Sequence, residues 1–86
     1  MENNTQNTST REITKQRQEI LSLLYAARLN ETEIRKGYIS TNDLKQAVGD
    51  SLFNLGVLQE LGYIEKDGYR YRITGQGVLA AERVEA

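Results

Sequence analysis

The chain has 86 residues, 27% of them charged and 38% hydrophobic, with a formal net charge of −1 and neither histidine nor cysteine. That length provides one domain with a small core, and the missing Cys and His remove disulfides, thiolate metal sites and the commonest general base. No phosphate-cradling glycine pattern and no carboxylate cluster at metal-ligand spacing is present, so no enzyme activity, cofactor or metal is expected.

The N-terminal segment MENNTQNTSTR lacks the apolar centre of a secretory signal, and no apolar run approaches the roughly 20 residues of a membrane span. A cytoplasmic protein without membrane association is expected. Residues 1–8 are polar and without periodicity and read as a disordered tail, leaving 9–86 as the domain. Ser9 and Glu12 have capping-box spacing, and Ile13, Ile20, Leu21, Leu24 and Ala27 recur at helical intervals, which predicts a first helix to about Leu29. Its other side, Arg11, Lys15, Arg17, Gln18 and Arg28, reads as a solvated face, with phosphate contact by Lys15 and Arg17 as the functional alternative.

After the polar stretch NETEIRKG, Tyr38 and Ile39 form a brief β-prone pair, and Ser40 or Thr41 is placed to cap a second helix with Asp43 in its first turn. Leu44, Ala47 and Val48 make one helical stripe, and Leu55 and Leu58 make another. Gly49 between them permits the positive φ that lets a third helix, about Ser51 to Leu61, leave at a steep angle. Beyond it, two β-prone runs flank Asp67-Gly68, a dipeptide suited to a two-residue hairpin turn. That turn sets Lys66 opposite Tyr69, Glu65 opposite Arg70, Ile64 opposite Tyr71 and Tyr63 opposite Arg72. It makes Glu65 the partner of Arg70, leaves Arg72 and Lys66 available, and turns Ile64, Tyr69, Tyr71 and Ile73 toward the helices. Thr74 then caps a last helix from Val78 to about Val84.

These segments together resemble the winged helix-turn-helix family. The likeness is densest in LQELGYI, Leu58 to Ile64, and in YRITGQG, Tyr71 to Gly77, and spans roughly residues 11 to 80. The resemblance implies a small α+β fold: a three-helix core, a short strand between the first two helices, a β-hairpin wing and a C-terminal helix. It also implies a small transcriptional regulator that binds double-stranded DNA, often as a homodimer, with the third helix in the major groove and wing 63–73 on the backbone. The candidate DNA-binding residues are Lys15, Arg17, Thr41, Ser51, Phe53, Asn54, Val57, Lys66, Arg70 and Arg72, and Leu52 and Gly56 fall on the same face of the third helix.

Two features weigh on that function. The pI of about 5.4 is low for a DNA-binding domain, and only the first helix and the wing lean positive. The third helix also carries no Arg or Lys for the guanine contact that most often specifies sequence. The alternative expectation is a protein-interaction or dimerisation module built on Phe53 and Val57, four apart and away from the Leu55 and Leu58 stripe.

Overall fold

A long segment with no proline, in which Ile20, Leu21 and Leu24 share one face, forms the helix α1 (Thr10–Leu29) and buries those three side chains. In the computed structural model, which describes residues 10–83, six further elements follow. They are β1 (Ile39–Ser40), α2 (Thr41–Val48), α3 (Leu52–Glu60), β2 (Ile64–Asp67), β3 (Arg70–Ile73) and α4 (Gly75–Arg83). The expected tail over 1–8, the cap at Ser9 and the residue Val84 lie outside the described residues.

The result is a small α+β fold of four helices and a three-stranded antiparallel sheet of order β1-β3-β2, among the described residues. One face of the sheet and the apolar faces of the helices share a single core of Ile20, Leu24, Leu44, Leu55, Leu58, Ile64, Tyr71 and Ile73. Val48 packs at its edge, whereas Ala47 is exposed and takes no part. No helix among the described residues is long and apolar enough to cross a membrane.

Local chemistry explains the joints. The Ser40 hydroxyl accepts from the Asp43 N–H at 3.0 Å and caps α2, settling the choice between Ser40 and Thr41. Thr41 instead joins α2 to the hairpin, its N–H and its hydroxyl both donating to the Tyr69 carbonyl at 2.7 and 3.0 Å. Gly49 closes α2 at φ 86°, the positive φ expected of it. Thr74 is a double fastening: its hydroxyl donates to the Gly62 carbonyl at 2.6 Å and accepts from the Gly77 N–H at 3.1 Å. With that cap in place α4 begins at Gly75, three residues earlier than its apolar run suggests.

The hairpin turn lies one residue later than expected, which moves every cross-strand partner by two residues. Asp67 faces Arg70, Lys66 faces Tyr71, Glu65 faces Arg72 and Ile64 faces Ile73, so the turn consists of Gly68 and Tyr69. A turn centred on Asp67-Gly68 needs positive φ at both residues. Only Gly68 has it, at 64°, which is the pattern of a type II′ turn with glycine at the first central position. Tyr69 therefore sits at the tip, 88% exposed, and is not one of the inward residues.

Candidate functional site

Two surfaces carry the candidate residues: the outer side of α3 with the adjoining part of α1, and the outer side of the sheet. On α3 the helical pitch divides the residues sharply. Ser51, Asn54, Leu55 and Leu58 face inward and are buried, while Leu52 and Phe53 point outward at 70% and 66% exposure. Gly56 is exposed as well, and Val57 is half-buried.

Asn54 is the correction with the largest consequence, because it is 1% exposed and cannot reach a base edge. Its Nδ2 donates to the Ile13 carbonyl at 2.9 Å and to Gln16 Oε1 at 2.8 Å, and its Oδ1 accepts from Arg17 Nε at 2.9 Å. Gln16 extends the network by donating from Nε2 to the carbonyls of Val48 and Asp50, both at 2.9 Å. One chain of hydrogen bonds thus bolts α1 to α3 and to the turn between α2 and α3. A buried amide left without such partners would be costly, so the network holds α3 in one rotation about its axis.

Arg17 is corrected with it. Rather than lying on a solvated face, it is half-buried and tied inward to Asn54. Arg28 leaves that face too, donating from Nη1 to the Ile73 carbonyl at 3.1 Å and fixing the end of β3. Ser51, the other polar candidate on α3, is buried at 6% as the residue before the first turn. Lys15 remains exposed and lines one groove with Phe53, alongside the acids Glu12 and Asp50.

On the sheet, β3 alternates Arg70 and Arg72 outward with Tyr71 and Ile73 inward. Arg70 pairs with Asp67 at 2.9 Å and stacks over the Tyr38 ring at 4.1 Å from its centroid. The shifted register gives Glu65 to Arg72, at 3.7 Å, so it is Arg72 and not Arg70 that Glu65 faces. Arg72 is further confined: it also approaches the Tyr38 ring, and its Nε is buried without a hydrogen-bond partner. Arg70, Arg72 and Tyr38 form a cluster neutralised by the carboxylates of Asp67 and Glu65. Lys66, paired with Tyr71 and 6.0 Å from its ring, lies on the opposite face of the hairpin and is exposed.

Sequence reasoning missed Gln16 and Tyr38. Gln16 lies three after Ile13 and four before Ile20, on the stripe that faces the other helices, and that spacing was the available signal. Tyr38 lies next to β1, on the side of the sheet where the arginines emerge. In comparisons with known proteins, no family model, no curated protein and no solved structure matches the chain.

Proposed function

We propose that this chain is a winged helix-turn-helix domain that binds double-stranded DNA, acting in the cytoplasm as a small transcriptional regulator. The observation that carries the proposal is the arrangement of α2, the Gly49 turn and α3 beside an antiparallel hairpin whose inner strand pairs with β1. That element order supports α3 as the helix that enters the major groove, with the hairpin beside it on the backbone. In this arrangement Leu52, Phe53 and Gly56 meet bases with half-buried Val57 at their margin, Lys15 and Lys66 meet phosphates, and Thr41, Arg70 and Arg72 line the wing side.

Because the acids Glu12, Asp50, Glu65 and Asp67 stand among these cations, few phosphates are neutralised and the affinity falls only gently with salt. Leu79 on α4, 61% exposed, is the apolar group available for a contact between two copies on two half-sites. The test is a titration against a random duplex pool at two salt concentrations, with oligomeric state measured alongside. Retention at low salt with a shallow slope is expected; no retention of any duplex at low salt overturns the proposal.

A second reading is favoured by the adjacent exposed pair Leu52 and Phe53 on a helix without cations. In it α3 is a self-association surface. It predicts a concentration-dependent dimer that Phe53→Ser returns to monomer, with no duplex retained.

A further inference from the structure

We infer that α3 reads thymine methyl groups, so that the target is duplex DNA with thymines at the major-groove positions facing Leu52, Phe53 and Gly56. The inference rests on the DNA-binding proposal above and names the chemistry that its helix recognises.

Base edges in the major groove offer hydrogen-bond donors and acceptors at all four pairs, but an apolar group only at the thymine methyl. A helix with polar side chains on its outer face can read the former. The outer face of α3 over its first two turns holds none, because its two small polar residues are turned inward. Ser51 is buried, and Asn54 spends its side chain on three bonds to Ile13, Gln16 and Arg17. No Lys or Arg occurs anywhere on the helix, and its outward polar groups, Gln59 and Glu60, lie at its C-terminal end. What the first two turns present is Leu52, Phe53 and the bare backbone of Gly56.

Gly56 strengthens the case because the fold does not require it. Its backbone is helical, a Cβ there meets nothing within 4 Å, and glycine inside a helix is less favourable than alanine. The space above it is open on the side where Leu52 and Phe53 project. A missing side chain between apolar neighbours lets the helix approach a base pair closely enough for both to touch a methyl group. The bolt formed by Asn54 and Gln16 holds that face in one orientation.

The experiment uses the full chain and the duplex best retained from a random pool. Each thymine is replaced in turn by deoxyuridine, which keeps the base pair and its hydrogen-bond pattern and removes only the methyl. Dissociation constants are measured by fluorescence anisotropy at two salt concentrations. Replacement at a contacted position should weaken binding about fourfold, the effect of exposing one methyl-sized apolar group. In Phe53→Ala the penalty at its own thymine should vanish, as coupling between two touching groups requires. Gly56→Ala should weaken binding while its Tm holds or rises, which separates loss of approach from loss of fold.

Salt-dependent binding that ignores every uracil replacement overturns the thymine inference and leaves DNA binding standing. No binding to any duplex at low salt overturns both. A dimer that dissolves in Phe53→Ala and does not bind DNA assigns the face to a second copy and likewise overturns the inference.

Discussion

Gly77→Ala tests how α4 is seated. Gly77 is buried in the first turn of that helix, and its backbone is helical, so alanine by itself would favour the helix by roughly 1 kcal/mol. The surroundings reverse the sign. A Cβ at this position would run into the Tyr63 carbonyl group, whose carbon stands 2.9 Å away, and into Ile73 Cγ1 at 2.7 Å. Neither neighbour gives way easily. The Tyr63 carbonyl is held by the Thr74 N–H at 2.9 Å, and Ile73 is fully buried in the core. Overpacking of this kind costs about 1 to 3 kcal/mol, with the upper part of the range appropriate to a backbone obstacle, so a net loss of about 1 to 2 kcal/mol is expected. In a domain of this size that lowers Tm by roughly 4 to 16 °C. Gly75→Ala is the matched control: it lies two residues away, with no atom within 4 Å of its Cβ, and should gain about 0.4 to 1 kcal/mol. Urea denaturation of the two variants beside the parent chain decides the matter. If Gly77→Ala is as stable as Gly75→Ala, the close seating of α4 on the start of the hairpin is wrong.

Leu58→Ala should cost about 2 to 5 kcal/mol, because Leu58 is fully buried in the core; a thermal melt like the parent's would refute its place there. Asn54→Ala should cost about 1 to 3 kcal/mol by leaving the Arg17, Gln16 and Ile13 groups unpaired. Amide hydrogen exchange should then rise at the α1–α3 contact, and unchanged protection there would show that the network holds nothing. If the DNA proposal is right, Lys15→Ala and Lys66→Ala should each weaken binding to all sequences and flatten the log–log salt slope by about one, and a change in sequence preference in either variant would count against a phosphate role.

Much of the fold was legible because apolar spacing and turn residues agreed. Leu44, Leu55 and Leu58 lie where helical periodicity places them, Gly49 closes α2, and Ile64, Tyr71 and Ile73 turn inward along the strands. The hairpin was legible as a hairpin but not in register. Asp-Gly fits a type I′ turn and Gly-Tyr fits a type II′ turn, and Asp67-Gly68-Tyr69 contains both. The chain takes the second: β1 pairs Ser40 with Arg70 and Ile39 with Tyr71, and on the inward side of the hairpin Ile64 stands opposite Ile73. Moving the turn by one residue moves each partner by two, which keeps every paired side chain on its expected face but takes Glu65 from Arg70 to Arg72.

The outer face of α3 was harder to read because the helix inverts the usual pattern. Its apolar residues occur on both sides, so hydrophobicity alone does not say which is the core side. Spacing does: Ser51 is four before Leu55, and Asn54 is four before Leu58, which puts both polar residues on the buried stripe with the two leucines. A buried asparagine looks improbable until its partners are known, and those partners lie far away in sequence, on α1, beyond the reach of a local pattern. Once Gln16 and Arg17 are seen to satisfy it, the burial is consistent, and the consequence passes to the surface. The polar groups that might have read bases are committed to holding the helix, and the face left to solvent is Leu52, Phe53 and Gly56. Specificity at this site, for DNA or for another copy of the chain, therefore has to come from apolar contact and close approach rather than from hydrogen bonds made by the first two turns of α3.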